Sequence, residues 1–322
     1  MKDSFGREND YLRISVTDRC NLRCVYCMPE TGVEWIPHEN IMTFEEILRL
    51  CRIFASLGIK KIKLTGGEPL VRRGICNLVR DIKAISGIEQ ITLSTNGVLF
   101  APMAEELVAA GLDAVTFSID SLRKDRFAAI TRFDHLDDTV ASIKKAMELG
   151  LPLKLNCVPL RGVNEEELPD LAALAKDHDL QVRMIELMPI GCGKQFSGIP
   201  CAEILTKLEE RFGPSHPYNE PLGNGPADYV SFEGFKGHIG FITALTHPFC
   251  SHCNRVRLTS SGFLKLCLNH PDGVELLPLL RGGQNDDEIL DVIAGAILRK
   301  PQKHHFEDRG AGDPDRMNSI GG

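Results

Sequence analysis

The sequence predicts an α/β protein in which a parallel sheet curls into an open or partial barrel. Three observations lead there. From residue 11 to about residue 190, short runs rich in β-branched residues alternate with longer helical patterns. The runs recur at roughly 30-residue spacing, the length of one strand–crossover–strand unit. There are six such units, too few for a closed eight-fold barrel.

Strands are expected at residues 12–16, 61–64, 90–94, 114–119, 152–159 and 182–187. Each gathers Val, Ile, Leu or Thr, side chains that suit a pleated surface. Helices are expected between them at 43–57, 75–85, 101–110, 137–149 and 165–178. The third opens with Pro102 in its first turn and stops at Gly111; the fourth stops at Gly150 with Lys144 and Lys145 near its end. After residue 190 the rhythm breaks. Gly191-Cys192-Gly193-Lys194 and the Pro- and Gly-rich stretch 213–226 read as loops around one helix at 201–211. Residues 227–270 read as short antiparallel strands, and a last helix at 286–298 precedes a polar tail ending in Gly321-Gly322. Two domains follow: a barrel over 1–190 and a C-terminal region over 191–322.

In such a barrel, functional residues gather at the C-terminal strand ends. Thr65-Gly66-Gly67-Glu68-Pro69, Ser94-Thr95-Asn96-Gly97 and Ser118-Ile119-Asp120-Ser121 stand there. A net charge of −7 argues against general nucleic-acid or membrane binding, so an anionic ligand needs a local cluster of Lys and Arg. No apolar run reaches the roughly 18 residues of a membrane helix, and the N-terminus lacks a signal-peptide core, so a cytoplasmic location is expected.

Six of the eleven cysteines form two trios. Cys20, Cys24 and Cys27 read C-x₃-C-x₂-C directly after the first strand, and Cys250, Cys253 and Cys267 read C-x₂-C-x₁₃-C. Each is one thiolate short of a closed zinc site or a fully ligated cubane iron–sulfur cluster, which leaves one iron free for a substrate or cofactor. A zinc knuckle completed by His38 is the alternative for the first trio, and zinc with His252 or His270 for the second. Cys51, Cys76, Cys157, Cys192 and Cys201 read as small buried or partly buried residues. Arg255 and Arg257 fall on one face of a strand beside the second trio, where two guanidiniums repel unless an anion lies between them. The alternative there is a solvated charged face.

The first trio, with Tyr26 just before its last cysteine, resembles the radical S-adenosylmethionine (SAM) superfamily, and Gly66-Gly67-Glu68-Pro69 resembles its GGEP motif. In the residues themselves, two glycines and a proline let backbone groups approach a ligand, and Glu68 can accept from an ammonium. The resemblance implies a [4Fe-4S] cluster whose free iron chelates SAM and whose electron cleaves it to a 5′-deoxyadenosyl radical. It further implies cofactor contacts at Tyr26, Gly66, Gly67, Glu68, Thr95 and Ser118. With the second trio and the terminal Gly-Gly included, the chain from Arg13 to Gly322 is similar to the MoaA family of GTP 3′,8-cyclases of molybdenum cofactor biosynthesis. That implies a partial (β/α)₆, TIM-like barrel whose C-terminal antiparallel region holds a second [4Fe-4S] cluster over the barrel mouth, its free iron on guanine. Arg13, Lys61, Lys154, Arg183, Arg255 and Arg257 match basic positions of the family's GTP pocket, and Lys63 stands where an arginine is expected. Phe196 lies where relatives commonly carry tryptophan. Gly321 and Gly322, with Arg13, are implied in catalysis. The implied partners are GTP, an external electron donor, cyclic pyranopterin monophosphate synthase as the next enzyme, and a second copy in a homodimer. The competing classes are a peptide-modifying radical enzyme with an auxiliary cluster, and a non-enzymatic zinc or electron-transfer protein.

Overall fold

The computed structural model describes residues 1–306. Its first half repeats strand and helix: β1 (Tyr11–Ser15), α1 (Phe44–Ser56), β2 (Lys61–Thr65), α2 (Ile75–Lys83), β3 (Gln90–Thr95), α3 (Phe100–Ala109) and β4 (Ala114–Ser118). Two helices, α4 (Lys124–Thr131) and α5 (Leu136–Glu148), cross over to β5 (Leu153–Cys157), and α6 (Leu168–Asp177) leads to β6 (Gln181–Ile185). Then come α7 (Cys201–Phe212), β7 (Ser215–Tyr218), β8 (Asp228–Phe232), β9 (His238–Ile242), β10 (Arg255–Leu258), β11 (Phe263–Lys265) and β12 (Gly273–Glu275). Two helices, α8 (Leu277–Arg281) and α9 (Asp286–Leu298), end the described chain.

The twelve strands form one open sheet in the order β12-β11-β10-β1-β2-β3-β4-β5-β6-β9-β8-β7. The α/β partial barrel is therefore observed, and its C-terminal region carries the expected antiparallel strands. That stretch adds parallel pairing as well: β10 runs parallel beside β1 and β9 runs parallel beside β6. Together with β1–β6 they make eight parallel strands, and antiparallel pairing is confined to the outer ones. The sheet crosses residue 190 without a break, so the two expected domains share it. Four short elements escape sequence reading: α4, α8, β12, and β7, an edge strand whose Pro217 carries no amide to donate.

Alternation along the strands decides what faces in. Parallel strands covered on both faces usually read as unbroken apolar runs. Here Leu12, Ile14, Ile62, Leu64, Leu93, Phe117, Leu155 and Val182 are buried in the apolar core. Their neighbours Arg13, Lys63, Thr92, Thr116, Lys154, Asn156 and Arg183 line a central cavity. A period of two thus divides each strand between an oily outer face under the helices and a polar interior.

The helices are pinned at their ends. Thr43 and Glu46 form a reciprocal capping box on α1, and Asn285 and Glu288 do the same on α9. Arg49 of α1 reaches Asp286 at 2.7 Å and Glu46 takes Arg281 at 2.7 Å, which moors α8 and α9 to the barrel. Phe117 of β4 packs edge-on against Phe100 of α3 with ring centres 5.1 Å apart. Truncating this fully buried ring leaves a cavity. Phe117→Ala is expected to lower the unfolding free energy by about 3–5 kcal/mol, read from the urea midpoint.

Candidate active site

One cavity of about 380 Å³ runs through the barrel and is lined by both cysteine trios. Topology puts the trios at opposite ends. Cys20 follows the C-terminal end of β1, whereas Cys253 stands two residues before β10 begins. Because β10 is parallel to β1, its beginning lies at the end where β1 begins. Cys267 comes just after β11, which runs antiparallel to β10 and returns to that same end. Functional side chains therefore fill the channel from end to end, where the sequence pointed to the C-terminal rim alone.

At the C-terminal end, a turn holds the first cysteine loop in place. Gly67 N donates to Thr17 O and Glu68 N to Arg19 O, both at 2.8 Å. A Cβ on Gly66 would lie 2.7 Å from Thr17 O, and one on Gly67 2.4 Å from Arg19 O. The two glycines let this turn lie directly on the backbone leading into Cys20. Glu68 does not line the cavity. Its buried carboxylate accepts from Thr95 Oγ1 and Asn96 N at 2.7 Å and from Leu70 N at 3.0 Å. Burial pushes this carboxyl up to about 7, against the pull of those three hydrogen bonds. Glu68 thus braces the 95–96 loop, the wall on which Thr95 and Asn96 face the cavity. Asn96 in turn points its amide at Cys20 Sγ, 3.8 Å away.

Tyr26 faces the cavity and donates its hydroxyl to Asp120 Oδ2 at 2.5 Å. Asp120 also accepts from Val158 N at 2.8 Å, and burial pushes its carboxyl up to about 6 although Tyr26, Val158 and Cys157 pull it down. Ser118 and Thr95 line the same wall. The thiols of Cys20, Cys24 and Cys27 are raised by burial, Cys20 to about 11, and those of Cys24 and Cys27 also by the neighbouring thiols. Iron would relieve both effects, so this soft donor set suits an iron–sulfur cluster. Among the described residues no three His, Cys, Asp or Glu side chains are placed to hold a single metal ion.

At the opposite end Arg7 and Lys300 grip the loop of the second trio. Arg7 Nη1 donates to Cys250 O at 2.9 Å and its Nη2 to Pro301 O at 2.8 Å, while its Nε pairs with Asp3 at 2.7 Å. Lys300 Nζ donates to Cys253 O and Arg255 O at 2.8 Å and to Asn9 Oδ1 at 2.6 Å. Burial works to raise the Cys253 thiol, yet Arg255, Lys300 and hydrogen bonds from Arg255 bring it down to about 7.

Between the ends lies a band of cations. Arg257, Arg13 and Lys63 are register partners across β10, β1 and β2, so they share one face at strand spacing. Lys154, Arg183 and Arg255 complete the lining. Thr116 Oγ1 accepts from Lys63 at 2.9 Å and from Arg183 at 3.4 Å, and Asn156 accepts from Arg183 Nε at 2.8 Å. Burial, then Arg183, depresses the Lys154 ammonium to about 7, and burial with Arg183, Arg13 and Lys154 drives Lys63 well below its ordinary value.

Lys61 is the exception among the expected cations. As the first residue of β2 it sits outside the cavity, with its ammonium 2.7 Å from Asp10. Gly321 and Gly322 lie outside the described residues. Sequence reading missed Thr116, Asn156, Arg7 and Lys300. The first two carried the signal of polar residues at inward strand positions, and the last two carried none.

Models of two families match the chain: the Radical SAM superfamily over residues 14–175 and Molybdenum Cofactor Synthesis C over 180–306. The GTP 3′,8-cyclase of Clostridium perfringens (strain 13 / Type A) is 46% identical over 323 residues, covering 100% of both chains. That of Desulforamulus reducens is 48% identical over 326 residues, again covering 100% of each. This chain belongs to the GTP 3′,8-cyclase family. Like other radical SAM proteins, the family carries a [4Fe-4S] cluster and uses SAM, and Cys20, Cys24 and Cys27 are the donors that fit it here. SuiB of Streptococcus suis, solved bound to S-adenosylmethionine, shares the fold with TM-score 0.60 at 14% identity, covering 94% of this chain and 75% of that one.

Removing the Glu68 carboxylate frees Thr95 and Asn96. Glu68→Ala is expected to weaken SAM binding by at least about tenfold in equilibrium dialysis of reconstituted protein, with GTP affinity unchanged.

Proposed function

We propose that this chain is a radical SAM GTP 3′,8-cyclase. It converts GTP to (8S)-3′,8-cyclo-7,8-dihydroguanosine 5′-triphosphate, the first step of molybdenum cofactor biosynthesis. Family membership supports the reaction, and one observation carries the assignment of parts. A channel with thiol trios at both ends holds six cations, Arg13, Lys63, Lys154, Arg183, Arg255 and Arg257, along its wall. Among the described residues no carboxylate pairs with Lys63, Lys154, Arg183 or Arg255. A nucleoside triphosphate is the size and charge that this wall lacks.

The first trio's cluster, with SAM, supplies a one-electron cleavage that yields the 5′-deoxyadenosyl radical. The protein's own contribution is placement. Tyr26, Gly66, Gly67, Thr95 and Ser118 line the SAM end, and Glu68 and Asp120 fix two of them. The cations hold the phosphates, so that the ribose 3′ carbon meets the radical and the guanine lies toward Cys250, Cys253 and Cys267. These three thiols would hold a second [4Fe-4S] cluster, which would supply an iron site for the guanine. The low Cys253 thiol and the grip of Arg7 and Lys300 on this loop's carbonyls support a preformed site. Gly321 and Gly322 take part in radical initiation. The protein works in the cytoplasm as a homodimer with an external electron donor, and passes its product to cyclic pyranopterin monophosphate synthase. No helix among the described residues is long and apolar enough to cross a membrane.

Anaerobic reconstitution should load about eight irons per chain, four for each cubane. With dithionite, SAM and GTP, 5′-deoxyadenosine and the cyclic nucleotide should then appear together. Deoxyadenosine formed without need of GTP would refute the cyclase reading. Arg255→Ala and Arg257→Ala should each weaken GTP binding by about tenfold or more with iron content unchanged; loss of iron would make them structural.

A pH effect follows from Lys154. Its folded value of about 7 lies below the ordinary 10.5, so the empty protein gains stability as pH rises between those values. A bound polyanion restores the proton. GTP affinity should therefore fall above about pH 7, with net proton uptake on GTP binding at pH 8, at Lys154 and also at Lys63, measured by calorimetry in buffers of different ionisation enthalpy.

A further inference from the structure

Beyond the cations, one end of the channel is closed by a loop to which the cyclase reading gives no task. Residues 222–226 connect β7 to β8 and meet the starts of the barrel strands, where Gly223, Asn224, Gly225 and Pro226 line the cavity beside Gln90 and Pro152. The loop touches two cations directly. Lys154 Nζ donates to Leu222 O, and a Cβ on Gly223 would lie 2.7 Å from that same nitrogen. A Cβ on Gly225 would lie 3.3 Å from Arg183 Nη1. Asn224 Nδ2 donates to Gln90 Oε1 and anchors the loop to β3. The amides of Gly223, Asn224 and Gly225 donate to no acceptor among the described residues.

We infer that loop 222–226 is a specificity element that reads the far end of the substrate's polyphosphate and selects a nucleoside triphosphate over the di- and monophosphate. The inference rests on the GTP reading above and gives it a length gauge. In the empty channel the Leu222 carbonyl is a neutral stand-in acceptor for Lys154. A phosphate oxygen is a stronger, charge-assisted acceptor, so an arriving terminal phosphate takes the lysine over. Three successive amides, two of them on glycine, then offer donors to the same anion, as backbone concavities do elsewhere. A side chain at 223 or 225 would stand where that phosphate has to sit. A chain one phosphate shorter ends before the loop and leaves both Lys154 and the amides unused.

Calorimetry on anaerobically reconstituted holoenzyme, without SAM, tests this with GTP, GDP, guanosine and inorganic tripolyphosphate. Two variants leave the backbone at ease. Gly225 does not occupy a left-handed conformation, so Gly225→Ala is tolerated by the chain and intrudes only on the phosphate end. Asn224→Asp keeps the side-chain shape, gives up the amide donor to Gln90 Oε1, and sets a carboxylate beside the anion. Each should lose on the order of tenfold for GTP and tripolyphosphate, with guanosine binding and circular dichroism unchanged, so that the GTP-to-GDP preference collapses. An unchanged preference in both variants would overturn the inference. So would an equal loss for GTP, GDP and guanosine, which marks a merely structural loop. Loop-dependent tripolyphosphate binding without any guanosine preference would keep the gauge and remove the GTP reading; failure to bind GTP or tripolyphosphate would remove both.

Discussion

Like charges buried side by side set the terms for the rest of this molecule. Arg257, Arg13 and Lys63 stand in one row across three adjacent strands, and Lys154 and Arg183 project into the same interior. Such groups repel one another more strongly as water is removed, and burial alone already disfavours their charged forms. The fold answers with neutral acceptors: the Thr116 hydroxyl, the Asn156 amide oxygen and the Leu222 carbonyl. None of these three acceptors carries a charge to set against Lys63, Lys154 or Arg183, and the sheet holds these side chains in advance for a polyanion.

That arrangement requires walls that do not yield. The outward residues of the same strands supply them, since Ile14, Leu64, Phe117 and Val182 are locked under helices while their neighbours face the channel. Each mouth has its own brace. At one, the glycine turn of residues 66–67 lies against the backbone that leads into Cys20. At the other, Arg7 and Lys300 hold carbonyls of the second cysteine loop. Both devices act on main-chain atoms, so the thiols stay free for a metal centre.

The parts legible in the sequence are those written in local patterns. The six βα units, the two cysteine trios and the glycine turn depend on spacings within a few residues, and period two in segments such as Lys61–Thr65 marks the faces of a strand. Depth along the channel is not local. Lys61 and Lys63 have the same parity on one strand, yet the first meets Asp10 outside the cavity and the second is buried inside it. Only the position of the sheet's edge separates them. The direction of β10 was hidden for a similar reason: its partner β1 lies some 240 residues earlier, and no turn signal links them. Arg7 and Lys300 act through backbone carbonyls, which leave no mark on residue identity.

The grip of Arg7 and Lys300 on one cysteine loop also bears on the order in which the chain can be fastened. The strand that leads into the loop of Cys20, Cys24 and Cys27 has its β2 neighbour close by in sequence. The loop of Cys250 and Cys253 stays unfastened until Lys300 has left the ribosome and found Asn9 and the carbonyls around it. A chain cut short before Lys300 would keep the strand pairing beside the first cysteine loop and lose the hydrogen bonds that fasten the second.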